Sequence, residues 1–453
     1  MRSFRGLIIA GAIVVGTFAL AIALGALWLN SFIHSPAFKS EVEKQAAQAV
    51  GGPVTIQSID LDIFRGVQLK GLATQLDANH SGGQGALTVK VASVNCSYSW
   101  AELFQRKLRL TGLTLSQPDI VLTKQATPSK SSFATPTAAT PSGPIAGSVT
   151  GPGGGSVAFQ FVLDRAKISD GTITVRDAGG TSLVELKGVN GSADTSGYYD
   201  GKDVTGNLKI ASATASNMQA TSFSTPVTYR ANYLEAKPFS ASAFDGAIKG
   251  GYVYGNSSAS VLDLGASGLD VAKLTAATVS SSSAKLSGSL DVQSKWRGIE
   301  TGDLNGEGDA QMTGGKLAGV KILQEVSAVL KIKELNEPAI TKAQTHFVVR
   351  DRMIKFIGLQ LDSPVLRITG DGTAGFNGAL DANLVLILSS STMARLPKEA
   401  AASFVQQADG SGSIAFHVSG TTSDPKTDLA TRLLLQNTKV QKAIDKALNK
   451  FFH

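Results

Sequence analysis

Short runs in which apolar and polar residues alternate are the feature that most limits what this chain can fold into. They recur between residues 161 and 420 and are broken by Gly, Ser or Asp, as in GNLKIASATA, ASVLDLGASG, MIKFIGLQL and LDANLVLIL. Alternation with a period of two is typical of a strand that buries one face, and one covered face is typical of antiparallel sheets. Glycine contributes 48 residues and aromatics only 6%, which favours many short strands joined by turns. The sequence therefore predicts a mainly β protein.

An uncharged segment near the N-terminus follows a different pattern. Residues 7–29 read LIIAGAIVVGTFALAIALGALWL. At about 1.5 Å per residue this length crosses a hydrocarbon core of about 30 Å, and it exceeds the apolar region of a signal peptide. Arg2 and Arg5 precede it, so the positive-inside rule places residues 1–6 in the cytoplasm. We predict a retained single-pass transmembrane anchor with everything after residue 30 outside, which in a bacterium means the periplasm.

Two further segments have helical periodicity. Ser35 and Pro36 are a favourable N-cap and first helical residue for a helix that runs to about residue 50 and stops at Gly51 and Gly52. Residues 427–453 have apolar residues on one side and lysines largely elsewhere, which predicts a C-terminal amphipathic helix. This helix is interpreted either as a cap on the open end of a sheet or as a basic surface that touches an anionic membrane or a partner.

A segment with few large apolar residues separates two β-rich parts. Residues 125–156 are mostly Pro, Gly, Ser, Thr and Ala, and they cannot bury enough surface to offset the entropy lost on ordering. We predict a flexible linker there. An N-terminal β region at 30–124 precedes it, and middle β repeats at 157–300 and a C-terminal β region at 301–426 follow it.

Two segments beside this linker echo each other. LRLTGLTLSQPDIVLTK (108–124) and FVLDRAKISDGTITVRD (161–177) share the order of strand, polar turn, short strand and charged end. This order indicates a repeated hairpin unit.

The glycines in DAQMTGGKLAGV (309–320) raise the question of a phosphate-binding loop. A Walker A loop needs a glycine five places before its Gly-Lys pair and a Ser or Thr directly after it. Ala310 and Leu317 occupy those positions. We therefore predict that Gly314 and Gly315 form a turn that needs positive φ, followed by a helical segment.

Residue types that carry out catalysis or bind metals are not grouped in this sequence. The five histidines are scattered without metal-ligand spacing, and no G-x-S-x-G motif is present. Acidic residues alternate with glycine in turn-like segments, which is typical of solvated turns. The single cysteine, Cys96, is interpreted as a small buried apolar residue. We predict no catalytic site, no cofactor and no metal site.

The formal net charge of +7 is concentrated at the chain ends. Arg2 and Arg5 contribute +2 and residues 427–453 contribute +3, which leaves only +2 for the whole middle of the chain. Binding along a nucleic acid backbone needs a concentrated basic stripe, so we predict no nucleic acid partner.

Several segments, in order along the chain, carry a resemblance to a known family. They are the apolar anchor, FKSEVEKQAAQAVGGPVTIQSIDLDIFRGVQLKGLATQL, VASVNCSYSWAELFQRKLRLTGLTLSQPDIVLTK, LNGEGDAQMTGGKLAGVKILQEV, ITKAQTHFVVRDRMIKFIGLQLDSPVLRITGDGTAGFNGALD and SGSIAFHVSGTTSDPKTDLA. The leucine pattern of the third segment ends at Pro118, Ile120 and Leu122. In this order they resemble the bacterial AsmA family. Residues 190–285 match that family in composition only.

The resemblance implies an inner-membrane-anchored periplasmic protein with an elongated, curved antiparallel β-sheet. In such a protein the sheet forms a groove with an apolar interior, similar to bridge-like lipid transfer proteins. The function implied is binding or transfer of phospholipid between inner and outer membrane through contacts with acyl chains. The residues expected to line the groove are Ile120, Leu122, Ile173, Val175, Leu384, Leu386, Leu388, Ile414 and Phe416.

An alternative function remains open at this point, because a strand that faces lipid and a strand that faces a protein core have the same pattern. In that alternative the protein is a periplasmic assembly or structural factor that binds other envelope proteins and supports outer-membrane protein biogenesis. A third class, a carbohydrate-acting β-solenoid, would need stacked Asn or aromatic ladders, and the sequence has neither.

Overall fold

The computed structural model describes most of the chain in thirteen segments. They are residues 36–50, 52–62, 66–76, 85–99, 107–124, 146–150, 156–198, 201–230, 233–255, 258–278, 285–298, 304–422 and 424–435. The predicted anchor at 7–29 lies outside the described residues, as do 125–145 of the predicted linker and 436–453 of the C-terminal helix. Within the described segments, no helix has both the length and the apolar character needed to span a bilayer.

The chain divides into two compact units. Unit 1 comprises Met1–Ala241 and Val253–Ser258, and unit 2 comprises Ser242–Tyr252 and Ala259–His453. Both units are mainly β and their strand pairs are almost all antiparallel, which confirms the mainly β, antiparallel part of the predicted fold class. The division cuts the strands Tyr233–Ala243 and Gly246–Gly255.

Unit 1 begins with one helix, followed by strands. They are α1 (Pro36–Val50), β1 (Val54–Thr55), β2 (Ser58–Asp62), β3 (Gly66–Leu76), β4 (Ala86–Tyr98), β5 (Lys107–Thr123), β6 (Ala146–Thr150), β7 (Ser156–Leu163), β8 (Arg165–Arg176), β9 (Ser182–Asp194), β10 (Val204–Ala215), β11 (Met218–Arg230) and most of β12 (Tyr233–Ala243). Most of the next strand, β13 (Gly246–Gly255), belongs to unit 2. β1 and β2 pair with β3, and the ladder continues through β4, β5, β8, β9, β10 and β11. Helix α1 confirms the helix predicted from Ser35 and Pro36.

The segments that echo each other are adjacent parallel strands and not two hairpins, which corrects the prediction. Residues 107–123 form the single strand β5. Gln117, where a turn was predicted, takes a positive φ of 49°, but the strand continues beyond it. β5 pairs in parallel with β8, and Ile120 lies opposite Ile173. The predicted linker is also shorter than expected, because β6 and the start of β7 lie within it and pair with each other.

In seven strands of unit 1 the alternation of apolar and polar residues shifts by one residue, and the shifted positions lie side by side across the sheet. The strands are β3, β4, β5, β8, β9, β10 and β11. Positive φ values mark this shift in five of these strands, at Gly71, Gln117, Asp170, Gly188 and Ser222. Because every strand slips together, neighbouring strands stay in register on both sides of the row. The apolar residues therefore stay on one face, although their alternation changes phase along each strand.

Unit 2 combines an antiparallel ladder with short helices. Its elements are β14 (Ser258–Asp270), α2 (Val271–Thr278), β15 (Lys285–Leu286), β16 (Ser289–Arg297), β17 (Asn305–Ala318), α3 (Lys321–Leu330), β18 (Ala339–Arg350), β19 (Met353–Asp362), β20 (Leu366–Gly375), β21 (Leu380–Leu388), α4 (Ser390–Met393), α5 (Lys398–Ala401), β22 (Val405–Gln406), β23 (Gly412–Gly420), β24 (Pro425–Thr427) and α6 (Leu429–Leu435). The ladder runs β14, β16, β17, β18, β19, β20, β21, β23.

The Gly-Gly pair of the 309–320 segment lies within strand β17, which corrects the predicted turn. Gly314 does take the positive φ that was expected, at 55°, but pairing with β18 resumes at Gly315. A Cβ on Gly315 would lie 1.9 Å from the Ser287 carbonyl oxygen, so this glycine allows close backbone approach. The helix that follows begins only at Lys321.

The same type of side-chain hydrogen bond stabilises three irregular strand positions. In each, the amide of a residue with positive φ donates a hydrogen bond to a side-chain oxygen of the neighbouring strand. The pairs are Asp170 with Asn190 at 3.1 Å, Gly268 with Asp291 at 2.8 Å and Gly358 with Asp371 at 2.7 Å. We call them amide clamps, since each satisfies an N–H that leaves the ladder.

Removing one clamp gives a local test. Asp371→Ala is expected to lower stability by about 1 kcal/mol, because the Gly358 amide loses its acceptor. Hydrogen exchange followed by mass spectrometry should show faster exchange at Gly358. Asp381→Ala, on the next strand and exposed, is the control. Equal exchange in both variants would contradict the clamp.

Candidate functional site

Two filled hydrophobic cores contain most of the predicted groove residues. Leu122 belongs to the core of unit 1, which α1 closes through Val42 and Ala46, and Ile120 packs against that core. In unit 2 the core contains Leu386, Leu388, Ile414 and Phe416, with Leu384 packed against it.

Helices and turns cover this unit 2 core. Leu330 of α3, Met393 of α4 and Leu429 and Leu433 of α6 all belong to it. Leu388 is 0% exposed, so no surface of its side chain is available to a ligand. Five predicted groove residues therefore lie in filled cores, which corrects the expectation that they line a groove: Leu122, Leu386, Leu388, Ile414 and Phe416. The described turns of the C-terminal helix cap the sheet.

An apolar surface continues across unit 1 beyond its core. Its members are half-buried and belong to none of the hydrophobic cores of the described residues. We call them the uncovered apolar face: Ile168, Ile173, Val175, Leu208, Ile210 and Phe223. Two of them, Ile173 and Val175, are predicted groove residues.

The register places these side chains on one face. Ile168 lies opposite Gly191, which lies opposite Leu208 on the next strand. Ile210 lies opposite Phe223. Directly opposed residues of an antiparallel pair share a face, so the apolar side chains of β8, β10 and β11 lie on the same face of the sheet.

Aromatic packing extends the face at its β11 side. Phe223 and Phe239 stack with their ring centroids 5.8 Å apart, and Phe239 is buried. Such a pair offers a large apolar area with little side-chain entropy to lose.

Strand β10 shows how sharply the two faces differ. Leu208 and Ile210 are half-buried, whereas the intervening residues Thr205, Asn207 and Lys209 are exposed. The alternation is visible in the sequence within GNLKIASATA, but the predicted groove residues did not include Leu208 and Ile210. Their strict period of two was the signal that could have found them.

Unit 2 has an aromatic surface of its own. Trp296 lies 6.2 Å from Phe347 between ring centroids, and its Nε1 donates to the Ser294 hydroxyl at 2.9 Å. A Cβ on Gly306 would lie 2.3 Å from Trp296 Cε3, so the indole ring lies over this glycine. Both aromatic residues are half-buried.

Metal ligation and thiol chemistry depend on the His, Cys, Asp and Glu side chains of the described residues. No cluster of three or more His, Cys, Asp or Glu that could hold a metal is found among them. Burial raises the pKa of the Cys96 thiol to about 12, so it stays protonated at neutral pH. Cys96 belongs to the unit 1 core, which confirms its interpretation as a small buried residue.

No protein-family model, no curated protein and no solved structure matches the chain.

Proposed function

We propose that this protein is a non-enzymatic envelope protein that binds or transfers phospholipid between the inner and outer membrane. The uncovered apolar face carries the proposal, because its side chains are neither packed into a core nor isolated among polar residues. The resemblance of several segments to the AsmA family supports the envelope location in this proposal, and the apolar segment at 7–29 supports an anchor in the inner membrane.

The energetics suit an acyl chain. Each methylene that leaves water contributes about 0.8 kcal/mol, so a chain lying across the face gains binding energy from area alone. Four strands spaced about 4.8 Å apart give a surface about 14 Å wide from β8 to β11. No named polar contact and no covalent step is required, which is consistent with a binding role and no catalytic group.

The filled cores favour a second candidate function. Because α1 and α6 close the cores of their units, the protein also suits a structural or assembly factor that presents the apolar face to other envelope proteins. The two functions differ in what contacts the uncovered apolar face.

Site-specific photocrosslinking tests the proposal on the full chain. p-Benzoylphenylalanine is placed at Leu208 on the apolar face, or at the adjacent Lys209 on the opposite face as the matched control. After irradiation in cell envelopes, mass spectrometry should find phospholipid adducts at position 208 and few at position 209. Protein adducts at 208 without lipid would support the assembly factor, and equal lipid labelling at both positions would overturn the proposal.

A further inference from the structure

An open cleft of about 600 Å³ lies in unit 1, with exposed polar side chains among its lining. The exposed side chains come from β4, β8, β9 and β10, and β5 contributes the half-buried Thr114. They project on the face opposite the uncovered apolar face, because they alternate along the strands with the apolar residues. A ligand there would not touch the apolar face, so the inference does not depend on the proposed function.

Gly112 opens the floor of the cleft. A Cβ at this position would meet only the Ser97 hydroxyl oxygen, at 3.8 Å, so no tight contact requires glycine here. The neighbouring Thr111 is an extra residue in β5, because Ser97 pairs with Gly112 and Tyr98 with Leu110. Bulges of this kind occur next to sites where they re-aim side chains.

Hydrogen-bond donors surround this gap. Thr114 of β5 lies opposite Lys167 of β8. Gly112 lies two residues before Thr114 and Arg165 two residues before Lys167, so both are on the same face as that pair. Ser97 lies opposite Gly112 on β4. Two cations and two hydroxyl groups therefore border a space without a side chain. Arginine and lysine beside hydroxyl donors form the combination that binds oxyanions.

Asp194 is the acidic residue of the lining. It lies opposite Arg165 on the side away from Gly112. Hydrogen bonds from the side chain and backbone of Ser196 lower the pKa of Asp194, so its carboxylate is charged at neutral pH. The charge of Arg165 also lowers the pKa of Asp194, so the two groups attract each other.

We propose that the cleft binds a phosphate-type oxyanion above Gly112, held by Arg165 and Lys167 and by the hydroxyls of Ser97 and Thr114. The shared chemistry is a tetrahedral anion with oxygens free to accept several hydrogen bonds. Its source is either a soluble phosphate or the phosphodiester headgroup of a lipid.

Isothermal titration of the full chain tests the site with three probes: inorganic phosphate, glycerol 3-phosphate and glycerophosphoglycerol, the deacylated headgroup of phosphatidylglycerol. Each is compared with sodium chloride at equal ionic strength. Binding of the first two assigns the site to soluble phosphates, and binding of the diester assigns it to lipid headgroups. Heats equal to those of chloride for all three probes would overturn the proposal.

Variants distinguish a specific binding site from nonspecific attraction of anions by positive charge. Arg165→Gln and Lys167→Gln are each expected to weaken binding by about tenfold or more, as loss of a charge-assisted hydrogen bond does. Lys209→Gln removes the same charge from the same face, at an exposed residue that does not line the cleft, and should leave the affinity unchanged. An equal loss in Lys209→Gln would refute the site.

Gly112→Val fills the gap without changing charge. Its φ does not lie in the left-handed region and the space is open, so the fold should hold. Binding should be abolished while the thermal transition stays in place. Unchanged binding in this variant would also overturn the proposal.

Discussion

Leu386→Ala is expected to lower the free energy of unfolding of unit 2 by about 3 kcal/mol, because truncation of a fully buried leucine leaves a cavity in a filled core. Leu386 is 1% exposed, and the core around it includes residues of α3, α4 and α6. A groove wall would behave differently, since a side chain that faces open space leaves no cavity when it is shortened.

Leu264→Ala is the matched control within the same unit. Leu264 is half-buried on β14 and belongs to none of the cores of the described residues, so the expected loss is about 1 kcal/mol. Both variants are made in a Trp28→Phe, Trp100→Phe background, which leaves Trp296 as the fluorescent probe. Urea titration of Trp296 fluorescence then reports on unit 2. Equal losses in the two variants would show that Leu386 is not in a filled core.

Gly315→Ala is expected to destabilise unit 2 by about 3 kcal/mol, as overpacking against an unyielding backbone does. Its Cβ would lie 1.9 Å from the Ser287 carbonyl oxygen and 2.7 Å from the Ser287 carbonyl carbon, so the backbone of the segment between β15 and β16 must move.

Gly314→Ala separates steric exclusion from backbone conformation. Gly314 has a φ of 55°, yet nothing lies within 4 Å of its Cβ position. Its expected loss is therefore only the cost of a left-handed residue, about 1 kcal/mol. The same Trp296 titration measures both variants. A larger loss at Gly314 than at Gly315 would mean that a turn-like conformation, and not close approach, explains the glycine pair.

The two glycines illustrate which kinds of feature can be predicted from a sequence. The positive φ at Gly314 was predictable, because a Gly-Gly pair is a local signal for that conformation. The close approach of Ser287 was not, because that residue is 28 positions away and only the pairing of β15 with β17 brings it near. The same distinction applies to β5, whose strand character was predictable and whose parallel partner β8 was not.

The predictability of the candidate site residues is limited in the same way, because it also depends on contacts that are remote in sequence. Ile173 and Leu386 have the same alternating surroundings in the sequence, yet one lies on the uncovered apolar face and the other in a filled core. The oxyanion cleft gave no sequence signal, since Ser97, Gly112 and Arg165 come from three strands separated along the chain.

The sequence by itself determined the mainly β class, helix α1 and the alternation that puts apolar residues on one side. These depend on a few consecutive residues, whose side chains must point to opposite faces of a strand. Only the tertiary structure decided which apolar faces are covered. An apolar face is covered when helices that are remote in sequence pack on it, as α6 does on the unit 2 core. The residues next to a strand in the sequence do not determine whether such a helix packs there.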